Sequence, residues 1–223
     1  MDTPQLSVIA PCFNEELNAR ELTRRVLETF QHGKLVGELI LVDDGSRDGT
    51  RKVIEQLEQE NKGRVIGRYH VTNQGIPQAW KTGARAANAP IVAVIDADLQ
   101  YQPEDLLRMR RELIEHSLDI VQGWRSTVGR KKETRYYMSR GLNALLNATF
   151  GMSLRDNKSG FLICAKEVME DLLTYEGSYH YWQSFIMVAA HAKGYTYKQI
   201  ETLFENVCAI QPARALPRSG PLE

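Results

Sequence analysis

Asp96-Ala-Asp98-Leu-Gln100 places two carboxylates and an amide oxygen at alternate positions directly after the apolar run Ile91-Val-Ala-Val-Ile95. Hard oxygen donors in that spacing suit a divalent cation that also holds a diphosphate. The plainer alternative is a pair of aspartates that cap and solvate a strand end. A second acidic pair opens the turn Asp43-Asp-Gly-Ser-Arg-Asp-Gly-Thr50. It reads either as ligand-binding or as turn and helix-cap chemistry, for which Ser46 and Asp48 are well suited. In the second half Arg125, Arg135 and Arg140 offer positive charge, either to a phosphate or as a solvated basic face. Two familiar phosphate signatures are missing. Lys81-Thr82 follows Trp80 rather than glycine, which excludes a P-loop, and no G-x-G-x-x-G follows the first strand.

Hydrophobic periodicity gives the elements that must position these groups. Residues 6–11 form a β-branched run stopped by Pro11, after which Asn14 is placed to cap a helix with Leu22, Val26, Leu27 and Phe30 on one face. The unit repeats with a strand at 38–42 and a helix marked by Val53, Ile54 and Leu57, then with a strand at 65–69 and a helix at 77–87. The run 91–95 is apolar throughout, as expected of a parallel strand covered on both faces. Such alternation argues for a parallel sheet with right-handed crossovers, in which ligands bind beyond the carboxyl ends of the strands. Asn14 and Glu15, Asp43 and Asp44, and Asp96 and Asp98 all fall at such ends and are expected to converge on one crevice.

The second half reads as a helix through Leu106, Leu107, Leu113 and Ile114, a strand at 119–125, a helix at 130–150, a strand at 160–164 and helices at 166–173 and 181–191. The 130–150 helix is basic at its start and then carries Tyr136, Tyr137, Leu142, Leu145, Leu146 and Phe150. That stripe suits a membrane interface or the protein core.

Composition narrows the class further. The 223 residues are 43% hydrophobic and 25% charged, which fits one globular domain with a tail and excludes disorder along the whole chain. Lys plus Arg and Asp plus Glu both number 28, so no chain-wide basic excess is available for a nucleic-acid partner. Cys12, Cys164 and Cys208 show no C-x-x-C pair and no zinc spacing, and they fit a reduced, cytoplasmic setting. No apolar run approaches the roughly 18 residues of a membrane span.

In order along the chain, Ser7-Val-Ile-Ala-Pro-Cys-Phe-Asn-Glu-Glu16, Leu39-Ile-Leu-Val-Asp-Asp-Gly-Ser-Arg-Asp-Gly-Thr50 and Val94-Ile-Asp-Ala-Asp-Leu-Gln-Tyr-Gln-Pro-Glu104 resemble the inverting family 2 glycosyltransferases. Within that family the resemblance is to the dolichyl-phosphate mannose synthase and bacterial polyprenyl-phosphate glycosyltransferase type. It implies a GT-A fold: α/β and Rossmann-like, with a mostly parallel central sheet flanked by helices. The domain would span 1–211, with a nucleotide-sugar-binding half at 1–105, an acceptor half at 106–211 and a flexible tail at 212–223.

By the same resemblance Pro11, Phe13 and Glu15 would hold the base and ribose, with Phe13 standing where a tyrosine is more usual. Asp44, with Asp43 as a further candidate, would bind the base, and Asp96, Asp98 and Gln100 would hold Mg2+ or Mn2+ on the diphosphate. Gly123-Trp-Arg125 resembles the family's Gly-Ser-Arg, and Arg135-x-x-x-Ser139 resembles the arginine and serine that meet the acceptor phosphate. Asp156-Asn-Lys-Ser-Gly-Phe161 resembles a loop near the donor sugar. Asp98, Arg125, Arg135 and Ser139 are the residues expected to act in catalysis.

The implied reaction is metal-dependent, inverting transfer of a sugar from a UDP- or GDP-sugar to polyprenyl or dolichyl phosphate. It would take place in peripheral contact with the cytoplasmic face of a membrane. The alternatives are transfer to a carbohydrate hydroxyl and nucleotide-sugar binding without turnover. A phosphate acceptor, with a second pKa of about 6, is already anionic and needs arginines rather than a base. A hydroxyl acceptor needs a carboxylate base, and no Asp or Glu lies between Glu176 and Glu201. The family pattern is broken after Leu203, where relatives continue with an arginine and a Gly-x-Ser-Lys-like turn but this chain reads Phe204-Glu-Asn-Val-Cys-Ala-Ile-Gln-Pro212.

Overall fold

The computed structural model of the chain describes residues 3–125, 134–174 and 182–204, with the backbone alone for residues 134–140 and Ser184. The first half alternates β1 (Leu6–Cys12), α1 (Ala19–His32), β2 (Gly37–Asp43), α2 (Thr50–Glu60), β3 (Val65–Tyr69), α3 (Ile76–Ala86), β4 (Ile91–Val94) and α4 (Asp105–Glu115). It is followed by β5 (Ile120–Arg125), α5 (Thr134–Phe150), β6 (Leu162–Ala165), α6 (Lys166–Leu172), α7 (Trp182–Ala192) and β7 (Tyr197–Thr202). The seven strands form one sheet in the order β3-β2-β1-β4-β6-β5-β7.

Helices cover both faces, which is why the central strands are apolar without alternation. On one face Ile9, Ile40, Val42, Val92, Val94, Ile120 and Leu162 pack against Trp80 and Ala84 of α3, Met169 of α6 and Ile186 of α7. On the other Val8, Ala10, Leu39, Leu41, Ala93, Val121 and Ile163 meet Leu22, Val26 and Phe30 of α1, Ile54 of α2 and Met109 of α4. Gly83 lets α3 lie close on the sheet, since a Cβ there would come within 2.3 Å of Ile9.

β1 pairs in parallel with β2 and β4, β2 with β3, and β5 with β7. The sheet is therefore mostly parallel, as expected, with one reversal: β6 runs antiparallel to both β4 and β5. A reversed strand starts at the edge where its neighbours finish. The segment leading into β6 is thereby brought to the same edge as the carboxyl ends of β1, β2, β4 and β5. The β4–β6 ladder also joins the two halves of the chain into one sheet.

Two local expectations need correction. Pro11 does not stop β1, because it removes a donor but leaves Cys12 free to accept the Asp44 N–H at 2.8 Å. Asn14 does not cap α1, whose N-cap is Asn18. Instead Asn14 sits at φ +58° in the loop before the helix. The expected basic start of the 130–150 helix and the 212–223 tail lie outside the described residues. Among the described residues, no helix is long and apolar enough to cross a membrane.

Candidate active site

The loops after β1 and β2 are sewn together, and this is the work Asn14 does. Its N–H donates to Ser46 Oγ at 3.0 Å and its Oδ1 accepts the Arg47 N–H at 2.8 Å. Glu15 N–H donates to Thr50 Oγ1 at 2.8 Å, and Glu16 Oε2 accepts the Gly49 N–H at 3.0 Å. Gly45, at φ +71°, allows the turn to lie against the Thr72 backbone, since a Cβ there would come within 2.5 Å of the Thr72 carbonyl carbon.

Within that turn the three aspartates have separate environments. Asp43 is the last residue of β2 and Asp44 the first beyond it, and the two find different partners. Asp43 Oδ1 accepts the Ser46 N–H at 3.0 Å, which is turn chemistry. Asp44 is buried and fully engaged: Oδ1 meets His70 Nδ1 at 2.7 Å and the Gln74 N–H at 2.8 Å, and Oδ2 accepts the Gly75 N–H at 2.9 Å. His70 Nε2 continues to Thr82 Oγ1 at 2.9 Å. Asp44 thus shapes the entrance to α3 from within. Asp48 behaves as a cap from one residue behind the N-cap of α2, accepting the Thr50 N–H at 3.0 Å. Burial opposes its charge, but the Thr50 hydrogen bonds outweigh that and its carboxyl lies below the usual value.

Beyond β4, Asp98 Oδ1 accepts the Gln100 N–H at 3.0 Å across Leu99, which is held at φ +62°. Among the described residues, no hydrogen bond reaches the Asp96 carboxylate. Burial, then the Asp98 charge, push the Asp96 carboxyl up to about 6, against the pull of Arg125. Burial also raises Asp98, despite its bonded N–H. Glu15 is raised by burial and by Asp98 and Asp48, although Asn18 donates to it at 2.7 Å. Asp98 and Glu15 thus oppose the charge of Asp96, and Arg125 favours it.

This donor set fits Mg2+ or Mn2+. Two carboxylates and the Gln100 side chain are hard oxygen ligands, and an ion that keeps waters and takes phosphate oxygens needs no closed protein cage. Among the described residues, no group of three or more His, Cys, Asp or Glu side chains is placed to hold a metal ion by itself.

On the other side of the edge stands Arg125, at the end of β5. It is no solvated basic face: Nε and a terminal nitrogen donate to Asp156 at 2.6 and 3.0 Å, with side-chain exposures of 18% and 13%. Burial opposes both charges, yet the pairing dominates, so Asp156 lies below and Arg125 above its ordinary pKa. Arg125 also covers the Phe204 ring at 5.3 Å. Tyr101 ties the two sides together, packing on Phe161 at 5.0 Å and bonding Ser159 Oγ at 2.8 Å. Gly160 belongs to the site as well, because a Cβ there would lie 3.5 Å from Asp96 and 3.1 Å from Gln183.

The loop bearing Asp156 is gripped by amides. Gln199 Oε1 accepts the Arg155 N–H at 2.6 Å, and its Nε2 donates to Asp156 O at 2.9 Å and to Gln122 at 2.6 Å. From α5, Asn143 Oδ1 accepts the Asn157 N–H at 2.9 Å, and Asn147 Nδ2 donates to Leu154 O at 2.7 Å. Gln122, a polar residue inside an otherwise apolar strand, is the one member of this set with a signal in the sequence. Pro11 and Phe13 lie at the crevice end of β1, Phe13 being 43% exposed. The side chains of Arg135, Ser139 and Arg140 lie outside the described residues, although the α5 backbone places positions 135 and 139 two turns and one turn ahead of Asn143.

A mixed sheet with acidic loops at its carboxyl edge and a second, cationic side beyond a reversed strand is the GT-A architecture. Solved structures agree. A mannosyltransferase from Pyrobaculum calidifontis, in complex with GDP-Man and Mn2+, aligns with a TM-score of 0.67 at 18% identity, over 96% of this chain and 59% of that one. Glucosyl-3-phosphoglycerate synthase from Mycobacterium tuberculosis, with Mn2+ and UDP, aligns with a TM-score of 0.67 at 19% identity, over 90% and 71%. The model of glycosyl transferase family 2 matches residues 7–173, and the chain belongs to that family.

Relatives include the undecaprenyl-phosphate 4-deoxy-4-formamido-L-arabinose transferase of Proteus mirabilis, 32% identical over 68% of this chain and 46% of its own. The dodecaprenyl-phosphate galacturonate synthase of Rhizobium johnstonii is also 32% identical, over 68% and 45%. The chain spans about half the length of the curated relatives it matches.

Proposed function

We propose that the chain transfers a sugar from a UDP- or GDP-sugar to a polyprenyl phosphate, with inversion at the anomeric carbon. The observation that carries this reading is the placing of the Asp96 and Asp98 carboxylates, the first of them without a hydrogen bond among the described residues, opposite a fixed guanidinium at Arg125. A site with negative charge on one side and positive on the other suits a leaving diphosphate and an attacking anion. The names of the polyprenyl-phosphate relatives support the choice of acceptor.

In this reading residues 1–105 bind the nucleotide sugar, residues 106–211 receive the acceptor, and 212–223 form a tail. Pro11, Phe13 and Glu15 line the base and ribose, while Asp44 shapes the base pocket through the loop it holds and Asp43 braces the turn. Asp96, Asp98 and Gln100 would hold Mg2+ or Mn2+, whose charge offsets that of the departing diphosphate.

Arg125, with Arg135 and Ser139, orients an acceptor phosphate oxygen towards the anomeric carbon. That oxygen forms the new C–O bond with its own electron pair. The bond to the diphosphate breaks, and its electron pair leaves with the diphosphate. No base is required, since the phosphate is already ionised. The exposed apolar side chains of α5 contact the cytoplasmic face of the membrane in which the lipid resides.

The test is release of nucleoside diphosphate from a panel of UDP- and GDP-sugars, with Mg2+ or Mn2+, in the presence and absence of undecaprenyl phosphate. Lipid-dependent release together with a glycosyl-phospholipid product is expected. Release driven equally by an oligosaccharide would overturn the acceptor assignment.

A further inference from the structure

Arg155 combines ring stacking with the lack, among the described residues, of a carboxylate partner. Arg51 and Arg125 also lie over aromatic rings, at Tyr69 and Phe204, but each is paired with a carboxylate. Among the described residues, the Arg155 guanidinium has no carboxylate partner. It lies instead over the Trp124 indole, 5.0 Å from the ring centre, a cation–π arrangement that leaves the N–H edges of the guanidinium free.

The backbone beneath it is pinned from two elements. Gln199 of β7 accepts its N–H at 2.6 Å, and Asn143 of α5 donates to its carbonyl at 3.3 Å. A long, solvent-exposed side chain is normally costly to order. Here the ordering is done in advance, by a stacking platform and a clamped backbone, without neutralising the charge.

Its location is specific. Arg155 precedes Asp156, which holds Arg125, and Trp124 precedes Arg125 on β5. Trp124 and Arg125 face opposite sides of the sheet, so the two arginines reach the carboxyl edge from its two faces. Trp124 is on the face where Ile120 packs with Val92 and Val94, the β4 residues that lead to Asp96. Preorganised, unpaired and planar, this guanidinium is suited to bidentate recognition of phosphate oxygens.

We propose that Arg155, stacked on Trp124, is a further phosphate-contacting residue on the acceptor side of the crevice, a reading that rests on the proposed polyprenyl-phosphate acceptor. The phosphate chemistry is shared by donor and acceptor, and the experiment separates them. Calorimetry on the full chain measures affinity for farnesyl phosphate, for farnesol, and for UDP and GDP with Mn2+, in wild type and in Arg155→Gln. Because the side chain is exposed, losing its contact with Trp124 lowers the melting temperature of the variant only slightly.

Loss of farnesyl phosphate affinity by about tenfold or more, with nucleotide and farnesol binding unchanged, is the expected result. A variant that still prefers farnesyl phosphate to farnesol as strongly as wild type overturns the role of Arg155 alone. A fall in nucleotide affinity with farnesyl phosphate unaffected moves the contact to the donor and overturns the acceptor assignment. Should the wild type itself fail to distinguish farnesyl phosphate from farnesol, the acceptor reading falls, and the inference with it.

Discussion

The two acidic pairs look alike in sequence and are used in different ways. Asp44 accepts two N–H groups and faces His70, so its charge is spent inside the protein. Asp96 has no hydrogen bond among the described residues, and burial and Asp98 oppose its charge more than Arg125 favours it. Asp98→Ala is accordingly expected to abolish most of the Mn2+-dependent part of nucleoside diphosphate binding while leaving the fold intact, as read by calorimetry with and without Mn2+. Unchanged metal dependence would remove Asp98 from the metal site. Asp44→Ala should weaken nucleotide binding and lower the melting temperature together, because it orphans buried donors and releases the 70–75 loop. Asp48→Ala should leave nucleotide binding almost unaffected and cost only about 0.5–2 kcal/mol of stability, the range of a lost cap. Equal binding losses at positions 44 and 48 would refute this division. Spacing identified Asp96 and Asp98 as candidates. It could not separate the role of Asp44 from that of Asp43, because that depends on His70 and the 74–75 backbone, which carry no motif.

At the scale of elements, the first half was legible because each β/α unit writes its own hydrophobic period. The reversal of β6 was not, since a short buried strand reads the same in either direction. The consequence is the segment ahead of β6, whose Asp156 meets Arg125 only because the strand is reversed. Gln199 was equally hidden, on an edge strand whose alternation, Tyr197 to Thr202, has only Ile200 and Thr202 buried. The Arg125–Asp156 pair predicts a pH signature. Asp156 titrates below its unfolded value of about 3.9. Its contribution is therefore fully present above pH of roughly 4 and is lost as the pH falls through the lower, folded value. Asp156→Asn leaves Arg125 without its counter-charge, at a cost of about 3 kcal/mol at neutral pH. Urea midpoints at pH 7 and pH 3 provide the measurement: the gap between wild type and variant should be smaller at pH 3 than at pH 7. A gap independent of pH would show that packing, rather than the charge pair, holds the loop.

For the molecule as a whole, the decisive element is α5, whose described side chains, from Gly141 onward, turn amides inward and leucines outward. Asn143 and Asn147 point inward and bond the 154–157 backbone. Leu142, Leu145 and Phe150 are 38%, 62% and 41% exposed. The sequence left two uses open for this stripe, the core and a membrane interface, and exposure of Leu145 argues against the core. No charged residue occurs from Gly141 to Leu154, so the outward surface can enter a bilayer interface without desolvating an ion. A lipid phosphate presented at that surface would lie beside the loop that carries Arg155 and Asp156. Leu145→Glu should therefore reduce flotation with liposomes several-fold, since burying a leucine side chain is worth about 1.5–3 kcal/mol. Its melting temperature should remain close to wild type. Anionic vesicles alone would confound lost insertion with added repulsion, so the comparison includes zwitterionic phosphatidylcholine vesicles, where only insertion counts. A fall in melting temperature with flotation preserved would return α5 to the protein core and leave the membrane contact to another surface.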